Sequence, residues 1–291
     1  MAKYPLEDAN TRPQWIRYAT IEDFNEHILK LIKKKCKENI YFIQRMQKLK
    51  QAYRRAYQLG RYMDCSTLWR IVSDRDKYGR YYYRTVFRNG CNDKLCNICS
   101  WQKAKNDKML IARILQKCKY NYSKAFIFMT FSRIRCYDDS LASEIKKLQQ
   151  AFHQLMQNRH VKAICNGYIK KLEISYNTAN HSYLAHYHVL LVVERKDLHR
   201  VTKKEWLALW RTVNRDIKLK NLGIDRHVNI GGKKVYALAN YIAKPQIKNY
   251  KDIPQDIFNA LHISLNGKQL LVFGGLCKNI KLGIENKHKP N

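Results

Sequence analysis

Acidic residues are scarce in this chain: 23 Asp and Glu face 56 Lys and Arg, a formal net charge of +33 over 291 residues. So large an imbalance destabilises a compact chain through self-repulsion and needs a polyanionic partner. Long apolar runs are missing as well, and none approaches a transmembrane span. No long basic amphipathic helix carries the charge, which makes an anionic membrane surface the weaker partner. The opening MAKYPLEDAN holds no apolar signal region, so a cytoplasmic protein is expected. Internal repeats and low-complexity linkers are also absent, and 45% apolar residues argue against wholesale disorder. The length suits one large domain or two small ones.

What the chain does have is aromatic and basic residues together. Twenty tyrosines and five tryptophans are interleaved with the lysines and arginines, a mixture suited to stacking on bases and contacting phosphates. Nucleic acid is the partner that this composition favours.

Nine cysteines are expected to be reduced in a cytoplasmic protein, where a close set reads first as a metal site. Cys91, Cys96 and Cys99 form C-x4-C-x2-C in CNDKLCNIC, and the C-x2-C half lets two thiolates grip one tetrahedral zinc. Cys65, in YMDCSTLW, is the nearest upstream candidate for a fourth ligand. Four thiolates leave no open position, so the expected Zn2+ is structural. Cys36, Cys118, Cys136, Cys165 and Cys277 are scattered and read as small buried hydrophobes.

Residues 21–57 are helical in character, with Phe24, Ile28, Leu31 and Ile32 on one stripe. Residues 62–100 turn to short, cysteine-containing, aromatic-rich pieces. A helix is expected over Trp101–Cys118, a strand over Ala125–Phe131 and an amphipathic helix over Asp139–Arg159. GYIKKLEISY (Gly167–Tyr176) reads as a strand, and a polar turn joins it to YLAHYHVLLVV (Tyr183–Val193) as an antiparallel hairpin. Thr202 and Glu205 open a helix with a capping box. The strand RHVNI precedes the helix KKVYALANYIAKP, which Pro245 stops. GKQLLVFGG reads as a turn and a strand. Because the central pair is a hairpin, the fold class is α+β on an antiparallel sheet.

The histidine strand poses the chemical question. His186 and His188 point the same way, Tyr187 the other, and apolar neighbours on both faces suggest that both are covered. Two buried imidazoles side by side are either core histidines bonded to neighbours or a pair of metal ligands. If Glu173 lies across the hairpin, the set becomes two histidines and one carboxylate with open positions. Such a set suits ferrous iron in an oxygenase, or Mg2+ or Mn2+ acting on a phosphodiester. The charge favours the phosphodiester, and no specific arginine presents itself for the 2-oxoacid of an oxygenase. Tyr241 lies on a helix with Lys244 one turn on, so Lys244 is expected either to lower the phenol pKa or to neutralise a transition-state phosphate. On these residues alone a packing tyrosine remains open.

These pieces occur together and in order. From about Cys65 to Gly283, the motifs CNDKLCNICSWQKAK, FIFMTF, GYIKKLEISYN, HYHVLLVV, WLALWR, NYIAKP and GKQLLVFGGLCK give a chain that resembles the replication initiators of rolling-circle plasmids of Gram-positive bacteria, members of the HUH endonuclease superfamily. The resemblance implies an HUH-type antiparallel sheet flanked by helices, preceded by a cysteine-rich module (61–105); the basic helical region before it (1–60) lies outside the resemblance and is read from its residues alone. A nicking domain (106–285) and a tail (286–291) would follow. It implies His186, His188 and Glu173 as ligands of a catalytic Mn2+ or Mg2+, Tyr241 as the nucleophile and Lys244 as its companion. The reaction implied is nicking of plasmid origin DNA, single-stranded or extruded as a hairpin, leaving a 5′-phosphotyrosine ester and a 3′-OH primer. Host helicase and DNA polymerase are the implied partners. One departure is Ala237, where this type of initiator usually carries a glutamate that activates water at termination. Another carboxylate, or Tyr236, would have to serve. The alternatives are a non-catalytic, zinc-stabilised DNA-binding regulator and a related relaxase or transposase. The cysteine set ahead of the nuclease core favours the initiator.

Overall fold

A computed structural model of the chain describes residues 16–19, 39–41, 43–48, 65, 69–75, 81–88, 90–137, 140–216, 219, 222–227, 232–246 and 253–286. The chain divides into two compact units, residues 1–100 with 247–253 and residues 101–246 with 254–291.

In the first unit β1 (Ile16–Ala19), β2 (Trp69–Arg75) and β3 (Tyr81–Arg88) form an antiparallel sheet in that order. The β2–β3 ladder is broken by a bulge between Arg70 and Ile71. Short, aromatic-rich pieces were expected here without assigned secondary structure; WRIV and YYYRTVF are rich in the aromatic and β-branched residues that suit a pleated surface, and they pair as strands. Residues 39–41 and 43–48 are helical, inside the helix expected over 21–57, and the remainder of that helix lies outside the described residues. So does Cys36.

The second unit is built on a five-stranded antiparallel sheet. Its elements in chain order are α1 (Asn97–Tyr120), β4 (Ala125–Ser132), α2 (Leu141–Gln157), α3 (Arg159–Ile164), β5 (Cys165–Asn177), β6 (Ser182–Val193), α4 (Lys203–Asn214), β7 (Gly223–His227), α5 (Gly232–Ile242), α6 (Gln255–Leu265), β8 (Leu271–Gly275) and α7 (Leu276–Asn286). The sheet order is β7-β4-β6-β5-β8, with the histidine strand at its centre. The class is α+β, as the hairpin implied.

Burial on both faces explains why β6 is almost wholly apolar. On one face Leu190 and Val192 of β6 join Phe126 and Ile169 against α1, α5 and α7. On the other, Tyr187 and Phe131 meet Phe152 of α2, and Phe131 also meets Trp210 of α4. Trp210 donates its indole N–H to the Ser132 carbonyl at 2.8 Å, so its one polar atom is satisfied in the core. The capping box of α4 forms as read: Glu205 N–H donates to Thr202 Oγ1 at 3.2 Å, and Thr202 N–H to Glu205 Oε2 at 2.7 Å.

Three helices, α3, α6 and α7, were not foreseen. The transition into α7 turns on Gly275, which has φ of +52° where β8 runs directly into the helix. A Cβ on the preceding Gly274 would lie 2.2 Å from the Tyr168 ring, so the pair of glycines lets the helix start against the sheet. Helix α1 begins four residues before Trp101, within the cysteine knuckle. Ser100 N–H already donates to the Cys96 carbonyl at 2.8 Å, closing the first turn around the thiols.

Candidate active site and thiolate centre

Hairpin register decides which side chains meet. Strands β5 and β6 pair with Glu173 opposite His186 and Lys171 opposite His188. All three candidate ligands therefore share one face, and their ligand atoms lie within 4.8 Å of one another. Glu173 Oε2 lies 3.2 Å from His188 Nε2, the diagonal neighbour. Two ligands at adjacent corners of an octahedron with bonds of about 2.1 Å lie about 3 Å apart, so this spacing suits a small divalent cation.

Each imidazole is held by its other nitrogen. His186 Nδ1 donates to the Leu184 carbonyl at 3.2 Å, which leaves the Nε2 lone pair free. His188 Nδ1 lies 3.2 Å from Thr130 Oγ1, on the neighbouring strand β4. Such outer partners fix the tautomer and the ring plane of a metal-binding histidine. Burial also keeps His186 neutral, pushing its pKa below the ordinary imidazole value. The hydrogen bond from His188 is the main cause that lowers the Glu173 carboxyl, with Lys244 among the lesser ones. Both shifts keep the set in its metal-binding form. Two imidazoles and a carboxylate converging in this way form a donor set that could hold a divalent cation.

Helix α5 brings in the tyrosine. Val235, Ala239 and Ile242 recur at i, i+4 and i+7 and are buried against the sheet, each large apolar residue contributing about 1.5–3 kcal/mol. Tyr241 sits one position from Ile242, about 100° round the helix, which puts it at the rim of that contact. It remains 38% exposed, and its ring lies 5.0 Å from His188 and 5.5 Å from Phe128, centroid to centroid. Phe128 in turn stacks on His188 at 5.7 Å, so one phenyl ring supports both. Lys244 Nζ lies 3.6 Å from the centre of the Tyr241 ring.

That placement corrects one expectation. The Tyr241 pKa is raised, by burial first and by the Glu173 charge second. Lys244 lies over the ring face, where it makes a cation–π contact instead of lowering the phenol pKa. Its other expected use, as a cation beside the reacting phosphate, is compatible with this position. Ala237, one turn before Tyr241, is exposed, and α5 carries no carboxylate. Tyr236 is exposed as well.

The four cysteines converge in the first unit. Cys65 Sγ lies 3.7 Å from Cys96 Sγ and 3.5 Å from Cys99 Sγ, and Cys91 Sγ lies 3.6 Å from Cys99 Sγ. A tetrahedron with Zn–S bonds of about 2.3 Å has edges of about 3.8 Å, so the sulfurs have zinc spacing. All four are buried and none is in a disulfide. The contact with Cys91 above all, then Cys96 and Cys99, draws Cys65 well below the usual thiol range, while Cys91 and Cys96 are pushed up. Four buried thiols at this distance cannot all ionise without a cation among them. Asn39 Oδ1 accepts from Cys96 Sγ at 3.3 Å. Of the scattered cysteines, Cys118, Cys136 and Cys277 are buried and Cys165 is partly so.

Three supporting residues were missed in the sequence: Phe128, Thr130 and Asn39. The first two were within reach, since positions 126, 128 and 130 of FIFMTF share a face and β4 pairs with the histidine strand. Among the described residues, no helix is long and apolar enough to cross a membrane.

The family model described as "Replication protein" matches residues 84–290. A protein named "Protein rep" from Staphylococcus aureus is 30% identical over 62% of this chain and 80% of its own length. One of the same name from Lentilactobacillus hilgardii is 26% identical over 78% and 75%. Another, from Streptococcus pneumoniae, is 25% identical over 78% and 72%. No solved structure matches.

Proposed function

This chain belongs to the replication protein family, and from that we propose that it initiates plasmid replication by nicking origin DNA through Tyr241. The observation that carries the reading is the position of Tyr241. An exposed tyrosine on α5 stands with its ring 5.0 Å from an imidazole of the carboxylate–imidazole cluster, under a lysine.

In this reading Tyr241 Oη attacks the scissile phosphorus, the bond from phosphorus to the 3′ oxygen breaks, and the departing oxygen takes a proton to become a 3′-OH. The 5′ end stays on the protein as a phosphotyrosine ester, and the 3′-OH primes synthesis. His186, His188 and Glu173 would hold a divalent cation, Mn2+ or Mg2+, whose chemistry is Lewis-acid withdrawal of charge from the phosphate. Phe128 keeps His188 and Tyr241 in register. Lys244 supplies positive charge beside the phosphate as it becomes five-coordinate. The +33 charge supplies the sequence-independent hold on the DNA backbone. A structural Zn2+ on Cys65, Cys91, Cys96 and Cys99 would replace hydrophobic burial as the organiser of the cysteine-rich segment. Host helicase and polymerase would act on the nicked product.

The test pairs the natural chain with Tyr241→Phe on a supercoiled plasmid carrying the chain's own replicon, in Mn2+, in Mg2+ and in chelator. Metal-dependent relaxed circles and a covalent protein–DNA band, both absent in Tyr241→Phe, are expected. Tight DNA binding with no nicking in either metal would favour a zinc-stabilised regulator instead.

A further inference from the structure

Strand β5 runs on past its neighbour β8. The ladder between them covers Gly167–Lys171, and Leu172 N–H still donates to the Leu270 carbonyl at 2.8 Å. Two residues further along that edge, the backbone of Ile174 meets no described strand. A single side chain answers both of its polar groups. Gln246 Nε2 donates to the Ile174 carbonyl at 2.8 Å, and Ile174 N–H donates to Gln246 Oε1 at 3.3 Å. A primary amide carries the same donor and acceptor as a peptide unit, so Gln246 stands in for one residue of a missing strand.

Its place in the chain makes this more than an edge cover. Gln246 follows Tyr241 by five residues and Lys244 by two, and Ile174 is the immediate neighbour of Glu173. Pro245 lies between Lys244 and Gln246, and its ring fixes φ near −65°, which leaves little slack in the connection. The chain is therefore closed into a ring. It runs from Tyr241 through Lys244 and Gln246 to Ile174, on to Glu173, and back through His188 to the Tyr241 ring.

Building on the nicking reading above, we propose that Gln246 is a positioning residue, setting how far Tyr241 and Lys244 stand from the Glu173–His186–His188 centre. Helix α5 is held to the sheet by Val235, Ala239 and its last residue Ile242, and Ala243 follows them into the same core. Beyond Ala243, the amide clamp ties the segment that carries Lys244 to the strand that carries a ligand.

The test is Gln246→Met, which keeps the volume of the side chain and removes its donor and acceptor, beside Gln246→Ala. Adduct formation is followed in single turnovers at saturating Mn2+ and origin DNA. A misplaced nucleophile lowers the rate at saturation, so we expect Gln246→Met to be about 100-fold slower, with Mn2+ and DNA affinities held within about twofold. A readout independent of activity accompanies it: the His188 ring resonances in the metal-free protein report the Tyr241 ring 5.0 Å away and should move in both variants. Adduct formation by Gln246→Met at the natural rate would overturn the proposal. So would a slow variant whose Mn2+ affinity and unfolding temperature fall together, since that describes a general structural role. Should the natural chain form no adduct, the nicking reading fails, and the His188 resonances alone decide whether Gln246 places Tyr241.

Discussion

Adding Mn2+ should raise the unfolding temperature of the unit that contains the histidine hairpin, and removing either imidazole should take away most of that rise. The folded chain already brings His186, His188 and Glu173 within 4.8 Å, with both rings anchored through Nδ1, whereas the unfolded chain has no such arrangement. An ion that binds only the native state at 100 times its Kd stabilises by about 2.7 kcal/mol, and for a unit of this size each kcal/mol moves Tm by about 2–4 °C, which gives about 5–11 °C. In His186→Ala or His188→Ala, a 100-fold loss of affinity leaves about 0.4 kcal/mol at the same ion concentration, or about 1–2 °C. His188→Ala also loses the contacts to Thr130, Glu173 and Phe128, so its metal-free Tm falls, and the shift has to be read within each variant. Calorimetry of the zinc-loaded chain, with and without Mn2+, provides the assay. If both variants keep the full shift, the ion binds elsewhere and the reasoning fails.

The pH dependence of the same shift follows from the two displaced pKa values. Glu173 is lowered and His186 is lowered, so both remain deprotonated further into acid than free side chains would. These two groups should therefore not cost the Mn2+ shift until pH falls below 6.5, the ordinary imidazole value; a His186 ring already protonated at 6.5 in the metal-free chain would contradict its burial. The metal-free fold carries the same sign: a histidine kept neutral contributes stability that is fully present above the unfolded value and is lost as pH drops below it and through the lowered folded value. Lys244→Met should slow adduct formation by about 100-fold through loss of transition-state charge, with little change in Tm, and mixed-salt binding assays should show DNA affinity nearly intact. Metal analysis should find one zinc per chain on the four-sulfur site, and Cys96→Ser should lose it. DNA affinity should fall steeply between low and moderate salt, in line with release of many counterions, and a flat response would count against a phosphate-tracking surface.

Much of the site could be read in the chain because a hairpin has a period of two. Parity alone puts His186 and His188 on one face of YLAHYHVLLVV; Glu173 joins them only if the register sets it opposite one of them, and the observed register pairs it with His186. The C-x4-C-x2-C spacing identified three of four thiols, and proximity in sequence suggested Cys65. Tertiary contacts were beyond such reasoning. Whether Lys244 would meet the hydroxyl or the face of Tyr241 depends on how the chain leaves α5, and the Gln246 amide that bonds Ile174 there reads in the sequence as ordinary loop after a proline. Helix α7 escaped because it follows β8 with no polar turn between them, and the signal was a pair of glycines whose need for close packing is visible only with Tyr168 beneath them. Phe128 looked like one more core phenylalanine until its two ring contacts were seen.

The measurement that bears most directly on the central claim is the identity of the residue joined to DNA. Chain incubated with Mn2+ and origin DNA would be denatured and digested with protease and nuclease, and the modified peptide sequenced by mass spectrometry. A nucleotide 5′-phosphate on Tyr241, in the peptide that contains LANYIAKP, is expected. A nucleotide on Tyr236 or any other side chain, or nicked DNA with no modified peptide at all, would contradict it.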